Sequence, residues 1–102
     1  MKSLILSGLA GSGKTTMAKA IASMYKPEEV SFASSIIPNG FSADSTKTKL
    51  IVFDEIKTED DIISINKSFR KMFRNTKIIF CTQEQCVNLW DDKEFSVVRL
   101  NS

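Results

Sequence analysis

The chain of 102 residues contains no histidine. Any acid–base chemistry must therefore come from Asp, Glu, Lys, Cys, Tyr or water. It has two cysteines, Cys81 and Cys86, spaced C-x4-C. With no histidine and no further cysteine, they cannot complete a zinc site. They read as free thiols in a reducing compartment, so a cytoplasmic location is expected. Long apolar runs are missing too. The opening "LIL" at Leu4 to Leu6 is far too short for a signal sequence or a membrane span, and no membrane partner is expected. Charge of one sign is also missing. A net charge of +2 does not by itself argue for nucleic acid or a lipid surface. The length is that of one small domain, 1–102, whose stability margin is narrow enough for a ligand or partner subunit to matter.

Glycine is scarce as well, yet three of the four glycines fall between Gly8 and Gly13. Gly8-Leu9-Ala10-Gly11-Ser12-Gly13-Lys14-Thr15 fits G-x-x-x-x-G-K-[ST] at every fixed position. Glycines there let consecutive backbone N–H groups curl around one anion, and the helix that follows adds its N-terminal dipole. Lys14 can reach the β- and γ-phosphates, and the Thr15 hydroxyl is placed to ligate Mg²⁺. Chance alone produces such a match in roughly one chain of this length in a few hundred. The candidate nucleotide-binding residues are Gly8, Gly11, Ser12, Gly13, Lys14, Thr15 and Thr16.

Around this loop, short apolar runs alternate with amphipathic ones. Ser3 to Ser7 reads as a buried strand ending at Gly8. Lys14 to about Tyr25 reads as a helix with Met17, Ala18, Ile21, Ala22 and Tyr25 on one face, stopped by Pro27. A weaker strand is expected from about Val30 to Ser34, then a turn at Pro38-Asn39-Gly40 and a polar loop over 42–49. Leu50 to Glu55 is the strongest strand. Thr58 with Asp61 three positions on marks a helix cap, and Glu59, Asp60 and Asp61 suit the positive end of the helix dipole. That helix should run to about Arg74 and bury Ile62, Ile65, Phe69, Met72 and Phe73. Lys77 to Thr82 is another buried strand, a short helical or irregular piece lies around Glu84 to Leu89, and Phe95 to Leu100 is the last strand. Strands alternating with helices imply an α/β fold, a parallel sheet flanked by helices.

The apolar run "LIVF" ends in Asp54 and Glu55. At the tip of a neighbouring strand, Asp54 would hold Mg²⁺ from the side opposite Thr15, and Glu55 could orient or deprotonate a water attacking the γ-phosphate.

Together the two motifs resemble the Walker A and Walker B of P-loop NTPases. The Asp-Glu form resembles the ASCE branch, which includes the AAA+ ATPases and the superfamily 3 helicases of small viruses and plasmids. The resemblance extends over roughly Leu4 to Leu100. It implies a five-stranded, mainly parallel sheet in the order 5-1-4-3-2, ATP and Mg²⁺ at the carboxyl ends of the strands, hydrolysis, and work within an oligomer or larger assembly, in DNA replication or a mobile element. It also implies a polar sensor residue at the end of the strand Lys77 to Thr82. Gln83 stands there, with Thr82 as the neighbouring candidate. The catalytic candidates are thus Lys14, Glu55 and Gln83, and the metal candidates Thr15 and Asp54.

The expected plan is minimal, without a helical lid. Arg74-Asn75-Thr76-Lys77 is too short for the DNA-gripping hairpin of superfamily 3. No arginine finger is assigned: Lys93 is the only cation in "DDKEF", Arg99 lies inside the last strand, and Arg70 and Arg74 lie on the helix before Lys77. Lys67, Arg70, Lys71 and Arg74 share one helix face, read as a solvated surface, with a phosphate backbone or subunit interface as the sharper reading. Gly40-Phe41 is read as a plain turn rather than a pore loop, and Trp90 as a core or rim residue. Two other functions stay open. One is a small-molecule or nucleoside kinase, for which Val30 to Lys49 is short. The other is a nucleotide-binding regulatory module that does not hydrolyse.

Overall fold

Successive side chains on a strand point to opposite faces, so each continuous apolar run serves two cores at once. In β1 (Ser3–Ser7) Ile5 joins one cluster and Leu6 the other. In β3 (Leu50–Ile56) Ile51 and Phe53 join the first, Leu50 and Val52 the second. In β4 (Lys77–Thr82) the division is Ile78 and Phe80 against Ile79 and Cys81. The helix α1 (Lys14–Ala22) covers the second cluster through Ala18, Ile21 and Ala22. The helix α2 (Glu59–Met72) covers the first through Ile62, Ile65 and Phe69. Aromatic rings fill the α2 side: Phe53 lies 5.1 Å from Phe69 edge-on and 5.2 Å from Phe80.

The computed structural model describes residues 2–33, 44, 46–89 and 93–100. Ser34, the turn at Pro38-Asn39-Gly40, Phe41 and Trp90 lie outside the described residues. β2 (Val30–Ala33) and β5 (Phe95–Arg99) complete a five-stranded sheet in the order β2-β3-β4-β1-β5, which is 5-1-4-3-2 from the other edge. Every pairing is parallel. The α/β expectation and the strand order therefore hold. In such a sheet all carboxyl ends lie on one edge, and the register sets Ser7 beside Thr82 and Arg99, and Thr82 beside Ile56. Among the described residues no helix is long and apolar enough to cross a membrane.

Several boundaries differ from the sequence expectation. α1 ends at Ala22 rather than near Tyr25. The N–H groups of Met24 and Tyr25 bond three residues back, to Ile21 and Ala22, tightening the last turn before Pro27. Of the apolar face of α1, Met17 stays 37% exposed while Ala18, Ile21 and Ala22 pack on the sheet.

α2 ends at Met72, two residues before Arg74. Met72 is 66% exposed and Phe73 only 3%. Two adjacent apolar residues cannot both face the sheet from one turn, and Phe73 takes the place, with its ring against Phe69 at 5.9 Å. The buried stripe also includes Asn66, which the apolar pattern passes over. It accepts a hydrogen bond from the Ser3 hydroxyl. Arg70 departs from the expected solvated face. It is half-buried and donates to the carbonyls of Phe73, Arg74 and Thr76, at 2.9, 3.4 and 2.6 Å. It caps the helix end that Lys67, Lys71 and Arg74 leave in solvent.

Candidate active site

The two helices begin in opposite ways. At α2 the Thr58 hydroxyl accepts from the Asp61 N–H at 3.1 Å, and Glu59, Asp60 and Asp61 occupy the first turn. At α1 the cap position is Gly13, with no side-chain hydrogen bond and no acid in the first turn. The orphan N–H groups of α1 thus find no acceptor among the helix's own side chains. Gly11 and Gly13 have φ of 83° and 94°, left-handed values that side chains rarely adopt, and a Cβ on either would meet nothing within 4 Å. The space over them is open. Ser12 carries the one buried side-chain N or O atom without a hydrogen-bond partner among the described residues. Lys14 Nζ donates to the carbonyls of Gly8 and Leu9. Backbone N–H groups at a helix start and an ammonium are a donor set for a polyanion.

Gly8 is required for another reason. A Cβ there would stand 2.5 Å from Ser12 Oγ and 2.8 Å from the Leu100 carbonyl oxygen. The loop leaves β1 through a gap that admits no side chain.

The loop opens onto a cleft of about 760 Å³. Gly11, Gly13, Lys14, Thr15 and Thr16 line one side, and Asp54, Glu55 and Gln83 the other. The sequence candidates converge there, except that Gly8 and Ser12 lie behind the lining. Asp54 Oδ1 accepts from the Glu55 N–H at 2.9 Å, and Glu55 has φ of 57°, a left-handed value unusual for a non-glycine residue. Gln83 is exposed at the cleft. Thr82, the neighbouring candidate, also borders the cleft but is 1% exposed, and its hydroxyl is engaged by the protein.

Lys57 and Cys81 also line the cleft, and sequence assigned neither to the site. Lys57 follows the acidic pair by two positions, a signal only once the strand end is known to face a phosphate site. Cys81 sits inside an apolar run that reads as core. Both cysteines are buried and free. Burial, and then the Asp54 carboxylate, push the Cys81 thiol up to about 12, and burial pushes Cys86 to about 11. They are protonated at neutral pH and are poor nucleophiles.

The cations considered for an arginine finger are not gathered at the cleft. Arg70 and Arg74 lie at the amino edge of the sheet, where Arg70 contacts Ser3 and Thr76. Arg99 stands at the carboxyl edge and donates to the Gln85 carbonyl at 3.3 Å.

The model of the ATPase family associated with various cellular activities (AAA) matches residues 4–83. The matched stretch runs from β1 past the end of β4 and includes every residue on both sides of the cleft named above as a candidate. No curated protein matches the chain.

Proposed function

The chain belongs to the AAA family of ATPases, and we propose that it binds ATP with Mg²⁺ in this cleft and hydrolyses it, as a minimal ATPase domain within an assembly. The observation that carries the reading is the uncapped start of α1 over Gly11 and Gly13, facing Asp54 and Glu55 across one cleft. The open space over the two glycines fits a bound triphosphate.

The loop N–H groups and Lys14 hold the phosphates, with Lys14 exchanging the Gly8 and Leu9 carbonyls for β- and γ-oxygens. Among the described residues no group of three or more His, Cys, Asp or Glu could hold a metal alone. The proposed ligands are Thr15 and Asp54, with phosphate oxygens and water completing the set, as Mg²⁺ prefers. When bound, Mg²⁺ neutralises charge on the phosphates. Glu55 orients the attacking water and accepts its proton as the oxygen bonds to phosphorus and ADP leaves. Gln83 contacts the γ-phosphate. The buried free thiols suit a reducing, cytoplasmic setting.

Assembly is proposed because this chain's own Arg70 and Arg74 sit at the far edge of its sheet. Lys14 and Lys57 are this chain's cations in the cleft lining, and Arg99 is bonded to the Gln85 carbonyl. An arginine for the developing charge would come from a neighbouring subunit, and such a group is worth about 10³–10⁵ in rate. Nucleic acid is a weaker proposal, resting on exposed Lys67, Lys71 and Arg74.

The test is ATP turnover across a range of protein concentration, with and without DNA. Specific activity should rise with concentration. Lys14→Ala should abolish binding, and Glu55→Gln should keep binding and lose turnover. Tight binding without turnover under any of these conditions would replace the ATPase by a regulatory module. Phosphate transfer to a nucleoside monophosphate would replace it by a kinase.

A further inference from the structure

Asp54 and Glu55 are adjacent in a strand, yet both line the cleft. Strict alternation forbids this: with Phe53 facing the α2 side, Asp54 would face the α1 side and Glu55 would return to the apolar cluster around Phe53. The pairing register shows what intervenes. Phe53 pairs with Phe80 and the next pair is Ile56 with Thr82, so β3 uses three residues where β4 uses two. The extra residue makes a bulge at Asp54-Glu55 that returns Ile56 to the α2 side and leaves both carboxylates at the cleft.

A bulge with Glu55 at φ 57° is not a conformation that a glutamate adopts unaided. Its one local support is the Glu55 N–H to Asp54 Oδ1. The return of β3 to the ladder is held by Thr82, whose hydroxyl donates to the Ile56 carbonyl at 2.6 Å in a wholly buried position. The same oxygen accepts from the Glu84 N–H at 3.0 Å, and the Ser7 hydroxyl donates to the Glu84 carbonyl at 2.6 Å. The Gly8 N–H, at the start of the phosphate loop, donates to the Thr82 carbonyl at 3.1 Å. One buried hydroxyl therefore joins the Asp54-Glu55 bulge to the segment carrying Gln83, and Ser7 ties that segment to the strand bearing the loop. The single hydroxyl proton of Thr82 is committed to Ile56 and is not available to a phosphate.

We propose that Thr82 is a positioning residue for hydrolysis, holding the β3 bulge so that Asp54 and Glu55 face the phosphate loop together, with Ser7 as its second anchor. This rests on the ATPase reading above. Loss of the hydroxyl leaves the phosphate loop intact and lets Glu55 wander, so it lowers kcat and spares nucleotide affinity.

The experiment compares Thr82→Val, which keeps the shape and removes the hydroxyl, with Thr82→Ser, which keeps the hydroxyl. ATP turnover, nucleotide affinity, thermal midpoint and amide exchange at Glu55 and Glu84 are measured for each. For Thr82→Val the expected result is a fall in kcat of about tenfold or more, since small misplacements of a reacting group carry such penalties. Affinity should hold within about twofold on the same ground, the binding contacts being untouched. Both amides should exchange faster, and Thr82→Ser should restore all of these. A Thr82→Val chain with wild-type kcat and wild-type exchange would overturn the proposal. So would a joint fall of kcat, affinity and midpoint that Thr82→Ser fails to rescue, which would make the residue merely structural. Should Thr82→Val not fold, Ser7→Ala decides on the same split between kcat and affinity. If the wild-type chain shows no turnover, the ATPase reading fails by itself, and amide exchange at Glu55 still reports whether the hydroxyl holds the bulge.

Discussion

The Arg70 guanidinium donates to the Ser3 hydroxyl at 2.8 Å, joining the last turn of α2 to the first residue of β1. Ser3 in turn donates to Asn66, and Arg70 also satisfies carbonyls just beyond the helix. A residue whose spacing suggests a solvent-facing cation is instead the fastener of one sheet edge.

Arg70→Met should therefore act on stability and not on the cleft. Hydrogen bonds to a charged group are each worth about 1.5–3 kcal/mol, and the carbonyls left behind can recruit water in part. A net loss of about 2 kcal/mol is expected, lowering the thermal midpoint by roughly 10 °C for a domain this size. Arg70→Lys should recover little, because an ammonium cannot reproduce the fork. Nucleotide affinity should stay unchanged, and an unaltered midpoint would contradict the role.

Gly8→Ala should be worse than Gly11→Ala. The added methyl at Gly8 meets the carbonyl oxygen of Leu100, a residue whose N–H donates to the Ser7 carbonyl and so fixes the backbone there. Overpacking of this kind costs about 1–3 kcal/mol. At Gly11 the space is open and the cost is the left-handed φ alone, about 1–2 kcal/mol. Chemical denaturation of both variants measures the order. Adding Ser12→Gly to Gly8→Ala should relieve only part of the loss, since the Leu100 backbone remains.

Thr58→Ala removes the acceptor for the Asp61 N–H at the start of α2. The expected loss is about 1 kcal/mol, or roughly 4–8 °C in midpoint. Thr58→Ser should be close to neutral. Because α2 packs on the side of the sheet away from the phosphate loop, nucleotide binding should not respond.

The cysteines give the chain a stability that weakens in alkali. Their folded pKa values, about 12 for Cys81 and about 11 for Cys86, lie above the ordinary value of 9.0. Above pH 9 the unfolded chain releases these protons and the folded chain keeps them, so the thiols' contribution is complete below pH 9 and is lost as pH rises towards 11 and 12. Unfolding free energy measured from pH 8 upwards should fall, and the fall should be shallower in Cys81→Ala/Cys86→Ala. At neutral pH an alkylating reagent should modify the native chain far more slowly than the denatured one.

The phosphate loop was legible because its chemistry is local: glycines, a lysine and a hydroxyl at fixed spacing after an apolar run specify the cradle without reference to the remaining chain. The strands were legible for a similar reason. Leu4 to Leu6 and Ile78 to Cys81 are continuous apolar runs inside β1 and β4, as strands buried on both faces are. Helix ends were less so. Whether Met72 or Phe73 turns inward depends on the rings already present at Phe69 and Phe53, and Arg70 becomes a cap only because Ser3 and Thr76 lie within its reach.

The residue order by itself determined an α/β domain, its strand order through a family resemblance, and a nucleotide cradle with an acidic pair nearby. Tertiary structure alone decided how Asp54 and Glu55, adjacent in one strand, come to share one cleft. Strand periodicity would have sent them to opposite faces. Their agreement depends on one extra residue in β3, held by a hydroxyl 26 positions away from the carbonyl it binds, and no local pattern in a single chain encodes a bond of that kind.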